Sequence, residues 1–186
     1  MSISRSEKLT QLVSHDGLRD SLTNLLALPA FLESTEREIS SAQRDSKKLN
    51  LSLISLTELD ARGEKRLVVE IAKELSSRTE EELFDLAARV VHLAHALEKN
   101  LRHNDLVCRY TFADFLILSS GDATTLVEKL RSIAEIHGAM VVSTELHPNI
   151  STINQAGSTV TPDRESELLK WIALLEKELM ATVSGG

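Results

Sequence analysis

The chain has 186 residues (20.6 kDa), enough for one well-buried core, and its 42% apolar and 26% charged content excludes a disordered polymer. A net charge of −7 opposes general binding to nucleic acid or an acidic membrane, because neutralising phosphates takes clustered lysine and arginine; a small anion held by a local basic group stays open. The single cysteine, Cys108, excludes an intrachain disulfide, and no window approaches a membrane span, so a reducing, cytoplasmic setting is expected.

Scarce glycine, proline and aromatic residues favour helix-rich packing. Residues 1–16 are polar with sparse apolar positions (Leu9, Leu12, Val13) and read as a lead-in helix. Pro29 suits a first helical turn, and Leu32, Thr35, Ile39 and Ala42 follow at helical spacing. Leu49 to Leu56 reads as a central strand, and Leu67 to Leu75 as a helix. Thr79-Glu80-Glu81-Glu82 is a capping box, and Leu83, Leu86, Ala87, Val90, Ala94, Leu97 and Leu101 then share one helical face. Two apolar runs, Leu106 to Tyr110 and Phe115 to Leu118, stand close enough together for a hairpin. A helix over 123–137, a strand over 139–143, an irregular polar stretch over 145–161 and a helix over 163–180 complete the chain. This order predicts an α/β (α+β, palm-like) fold: a mostly antiparallel sheet of about five strands flanked by helices, with one domain over 17–182 and a short tail over 183–186.

Three local sequences carry a resemblance. Asp20-Ser21-Leu22-Thr23-Asn24-Leu25, followed by Phe31, is similar to the D-x-L-T-G-L…F opening of GGDEF domains. Arg102-His103-Asn104-Asp105-Leu106-Val107-Cys108-Arg109-Tyr110 resembles the R-x-x-D-x-x-x-R-Y run that leads into that family's signature turn. Thr111-Phe112-Ala113-Asp114-Phe115 falls where the five signature letters belong. The resemblance spans roughly residues 16–180. Its members are diguanylate cyclases, which condense two GTP molecules into cyclic di-GMP.

The resemblance also implies what is missing. Phosphoryl transfer of this kind relies on divalent metals held by carboxylate oxygens. The alignment puts Thr57 where one metal-binding aspartate ends the first strand, and Ala113 at the other. Thr111 and Phe112 replace two glycines that let backbone approach the triphosphate; Asp114 alone keeps a carboxylate. Ala87 stands for the guanine-recognising aspartate and Ala27 for an asparagine. The G-H-x-x-G before that aspartate has become Glu82 to Leu86, and the late helical motif lacks its aspartate and lysine. A degenerate, non-catalytic domain with no metal and no cofactor is expected.

What the resemblance retains is the R-x-x-D pair, Arg102 and Asp105, which in active members forms an inhibitory product site for cyclic di-GMP. An arginine fork fits the O6/N7 edge of guanine, worth about 1–3 kcal/mol of base discrimination, and a carboxylate accepts from N1–H and the 2-amino group. Arg109, Lys129 and Arg131 are candidate further basic contacts. The plainer alternative is an exposed helix-end ion pair of little energetic weight. His92 and His95 stand three apart without an evident third metal ligand and read as polar-edge positions. The expected function is a cyclic di-GMP receptor that signals to an unidentified protein partner, with a homodimer possible. The alternatives are a ligand-independent scaffold or adaptor and a GTP-binding allosteric module.

Overall fold

The computed structural model describes residues 15–68, 78–146, 152–153, 159–160 and 164–184. Helix α1 spans Leu28–Asp45, strand β1 Leu49–Leu59 and β2 Lys65–Leu67. Helix α2 spans Glu80–Asn100, β3 Leu106–Arg109 and β4 Asp114–Ser120. Helix α3 spans Ala123–Ile136 and β5 Ala139–Leu146; short strands β6 (Thr152–Ile153) and β7 (Thr159–Val160) precede α4, Arg164–Ser184.

Strand β1 is the axis of an antiparallel five-stranded sheet. It pairs with β4 through Leu49↔Ser120 to Ser55↔Asp114, with β5 through Leu49↔Leu146 to Leu56↔Ala139, and at its end with β2. Strand β3 pairs with β4 and forms an edge. Because side chains alternate across a strand, one apolar run serves two cores. Ile54, Leu56, Val107, Phe115 and Ile117 pack under α2 and α3, which contribute Leu86, Val90, Leu93, Leu97, Leu130 and Ile133. Leu49, Leu51, Leu53, Cys108, Leu116 and Leu118 face α1 and α4, which contribute Phe31, Ala42, Leu168, Ile172, Leu175 and Leu179. The fold is therefore a sheet between two helical layers, each fully buried leucine or isoleucine contributing about 1.5–3 kcal/mol.

The long helix begins as its sequence predicts. Thr79 Oγ1 accepts from the Glu82 N–H at 3.3 Å, and Glu82 Oε2 accepts from the Thr79 N–H at 2.6 Å. Those bonds hold the Glu82 carboxyl below its ordinary pKa.

Three expectations need correction or limits. Leu67, expected to open a helix, ends β2, and the remainder of that expected helix lies outside the described residues. The signal for β2 was the turn before it: Asp60 Oδ1 accepts from the N–H groups of Arg62 (2.8 Å) and Glu64 (3.0 Å), and Gly63 takes a left-handed φ of 81° that a side chain resists. Strand β5 continues past Ser143 to Leu146, and β6 and β7 form a two-stranded ladder inside the stretch read as irregular. The lead-in helix lies almost wholly outside the described residues; His15, at its end, makes an antiparallel bridge with Asp20.

Candidate functional site

Helix α2 ends at Asn100, and Leu101 leaves it in an extended conformation while donating to Leu97 O. The next four residues close on themselves. Asp105 N–H donates to Arg102 O at 3.0 Å, and the Arg102 N–H donates to Asp105 Oδ2 at 2.8 Å. The R-x-x-D spacing is thus a turn in which the aspartate caps the backbone of its own arginine. The plainer alternative, a helix-end ion pair, is not what forms: the Arg102 guanidinium has no hydrogen-bond or ion-pair partner among the described residues, and it is exposed.

This turn borders a cleft of about 110 Å³ between the end of α2 and the start of α3, lined by Arg102, Asp105, Ser119, Asp122, Thr125 and Lys129 among others. Lys129 reaches over it to donate to Asn100 O. Of the five candidate ligand residues the cleft gathers three, Arg102, Asp105 and Lys129. Arg131 is exposed on α3 two positions after Lys129; a two-residue step turns a helix by roughly 200°, so the two point apart and Arg131 is outside the cleft. A volume near 110 Å³ admits the edge of a base and not a whole nucleotide, for which sites of about 300 Å³ or more are usual. On the other side of the turn, His103 and Asn104 border a shallower groove of about 440 Å³ against the end of α1.

Arg109 is corrected as a ligand contact. Its side chain is 1% exposed, and Nη1 donates to both oxygens of Asp20 at 3.0 Å while Nε donates to Phe112 O at 3.2 Å. Burial lowers its pKa and the Asp20 carboxylate opposes that. Asp20 Oδ1 also accepts from the N–H groups of Leu22 (3.2 Å) and Thr23 (2.8 Å) and from Thr23 Oγ1 (2.8 Å). The D-x-L-T sequence and the R-Y arginine, far apart in the chain, are therefore one buried staple between the N-terminal loop and the hairpin. Neither residue type by itself announces that; the joint presence of both motifs was the available signal.

The signature-like turn joins β3 to β4. Ala113 is fully buried, its O accepting from Leu56 N–H at 3.1 Å, and Leu56 O accepts from Val68 N–H at 3.0 Å, so backbone already occupies the strand edge beside the turn. Phe112 is buried in the α2 side core, its ring centroid 5.5 Å from the Arg109 guanidinium carbon. Phe115 is fully buried in the same core. The β1 residue opposite the turn is Ser55, which pairs with Asp114, whereas Thr57 lies one step further on, opposite Leu67, with Oγ1 donating to Gly138 O at 3.0 Å. Neither residue is a carboxylate.

Asp114 is 6% exposed and accepts from Thr111 Oγ1 at 2.7 Å, and its Oδ1 is buried without a partner. Burial pushes its pKa up to about 6, against the Ser55 and Thr111 hydroxyls, with the Glu176 carboxylate adding to the rise. Tyr110 OH donates to Glu176 Oε1 at 2.9 Å, and its own pKa is pushed up to about 12 by burial and by Glu176. Asp114 thus belongs to the seam between the hairpin and α4. Among the described residues no three histidine, cysteine or acidic side chains come together as a metal-binding group, and His92 and His95 are exposed. Among them, too, no helix is long and apolar enough to cross a membrane.

The sequence matches no family model and no curated protein. Solved structures do match. The GGDEF domain of DgcB from Caulobacter crescentus, in complex with c-di-GMP, superposes with a TM-score of 0.61 at 16% identity, over 94% of each chain. A sensory box/GGDEF family protein from the same organism gives 0.59 at 16% identity, over 90% of this chain and 99% of that one. The diguanylate cyclase SiaD from Pseudomonas aeruginosa, in complex with its activator SiaC, gives 0.62 at 16% identity, over 95% of this chain and 63% of that one. Identities this low speak to architecture alone, and there the agreement extends over nine-tenths of this chain or more: the chain carries the α+β fold of GGDEF domains.

Proposed function

We propose that this chain is a non-catalytic GGDEF-type domain that binds cyclic di-GMP through Arg102 and Asp105 and passes that signal to a protein partner. The observation that carries the reading is the Arg102 guanidinium, unpartnered among the described residues and set, by a turn that Asp105 itself closes, beside a cleft that admits the edge of a base. The fork of Arg102 suits guanine O6 and N7, the second oxygen of Asp105 suits the N1–H donor, and Lys129 supplies a cation for a phosphate. The signature-like turn and the strand facing it offer Ala113, Ser55 and Thr57 where two-metal phosphoryl transfer needs carboxylates, and Phe112 stands where the resemblance implies a glycine that lets backbone approach the triphosphate. The DgcB structure contains c-di-GMP and the SiaD structure an activator protein, which supports both halves of the proposal by analogy of fold.

Calorimetric titration with cyclic di-GMP tests it. Saturable binding that Arg102→Ala abolishes is expected, with no turnover of GTP in magnesium or manganese. Absence of heat at high micromolar ligand, or unchanged binding by Arg102→Ala, rejects it. A ligand-independent adaptor is the competing reading, favoured by Leu169, Leu174 and Met180, which stand 46%, 56% and 41% exposed on α4. Partner association indifferent to both cyclic di-GMP and Arg102→Ala would select it.

A further inference from the structure

The floor of the Arg102–Asp105 cleft is polar where the sheet's alternation calls for an apolar pair. Ser119 and Asn50 are directly opposed across β4 and β1, on the face that carries Ile54, Phe115 and Ile117 under α2 and α3. Both are buried, at 5% and 2% exposure. The Asn50 amide donates to Gly121 O at 3.0 Å, yet Asn50 Oδ1 and Ser119 Oγ have no hydrogen-bond partner among the described residues. Two opposed buried polar side chains with unpaired atoms are expensive, and native proteins keep such groups where something else completes them. Ser119 lines the cleft together with Arg102 and Lys129, long exposed side chains able to move aside for a ligand.

We propose that Ser119, backed by Asn50, is the contact through which this cleft reads the edge of a guanine base, its hydroxyl completing hydrogen bonds that Arg102 and Asp105 leave unmade. The inference rests on the cyclic di-GMP reading and adds to it a determinant of base identity. Arg102 addresses the O6/N7 edge from the rim and Asp105 the N1–H. The 2-amino group, which distinguishes guanine from hypoxanthine, is the donor that an inward acceptor such as Ser119 Oγ requires. A hydroxyl used this way gives discrimination out of proportion to its size, because an analogue lacking the donor leaves a buried acceptor unpaired.

The test is calorimetry on the full chain with cyclic di-GMP and cyclic di-IMP, together with thermal melts without ligand. The parent should bind cyclic di-GMP about tenfold more tightly than cyclic di-IMP, in line with one good polar contact to a base. Ser119→Ala should lose about that factor for cyclic di-GMP and bind the two ligands alike, Ser119→Thr should restore the preference, and Ser119→Ala should melt no lower than the parent, since it deletes an unpaired group. If Ser119→Ala binds cyclic di-GMP as the parent does while Arg102→Ala does not bind, the inference falls and the receptor reading stands. A clearly lower melting temperature for Ser119→Ala also overturns it, marking the hydroxyl as structural. If the parent binds neither ligand, or Arg102→Ala binds normally, both fall together.

Discussion

Replacing Asp114 with asparagine should stabilise this protein at neutral pH. Asp114 is buried at the seam between the hairpin and α4, with the Ser55 and Thr111 hydroxyls beside it too few to offset burial and Glu176 adding like charge nearby. Its folded-state pKa of about 6 exceeds the unfolded value near 3.9 by about two units. Between roughly pH 4 and 6 the folded chain holds a proton that the unfolded chain has released, so this group's contribution to stability falls as pH rises through that window. Below pH 4 both states are neutral and no penalty exists; above pH 6 it is complete, at about 3 kcal/mol from about 1.4 kcal/mol per unit. Asparagine keeps the shape and an acceptor for Thr111 while removing the charge. Asp114→Asn should therefore gain up to about 3 kcal/mol at pH 7, less the cost of its own unpaired N–H, and almost nothing at pH 4. Urea unfolding followed by Trp171 fluorescence at pH 4, 5, 6 and 7 measures the difference, in which acids remote from Asp114 cancel because both proteins share them. A variant less stable than the parent at pH 7, or a difference that does not change with pH, refutes the reasoning.

Other substitutions separate structural from ligand-facing charges. Arg109→Ala should cost about 3–5 kcal/mol in chemical denaturation, because it strands the buried Asp20 carboxylate, and a loss under 1 kcal/mol would contradict the staple. Arg102→Ala, which removes an exposed side chain without a partner, should change stability by no more than about 0.5 kcal/mol. Asp105→Ala should cost about 1 kcal/mol, since its carboxylate caps the Arg102 N–H; the same melts read both. Thr79→Ala should cost about 1 kcal/mol and speed hydrogen exchange in the first turn of α2, whereas unchanged exchange there would mean that the capping box does not hold that turn.

Much of this molecule was legible before its structure because local rules and the global fold agree. The capping box, the helical face from Leu83 to Leu97 and the hairpin around residues 111–114 follow from spacing and residue type alone. What the sequence concealed depended on partners far along the chain. Strand β2 has three residues and one buried side chain, so its existence rests on pairing with the end of β1 and on the Asp60–Gly63 turn. Arg109 lies as near the R-x-x-D motif as a ligand contact would, yet the strand carries it to the opposite face of the problem, into the Asp20 carboxylate.

The amino-acid sequence by itself determined the element order and the antiparallel palm-like class, since both are written in neighbouring residues. The tertiary structure alone decided which charges are spent and which are free. Arg109 and Asp20 neutralise each other in the core, while Arg102 stays unpaired beside Asp105, above Ser119 and Asn50. Burial and pairing across distant segments set the state of a charged group, and neither is a property of the segment that carries it.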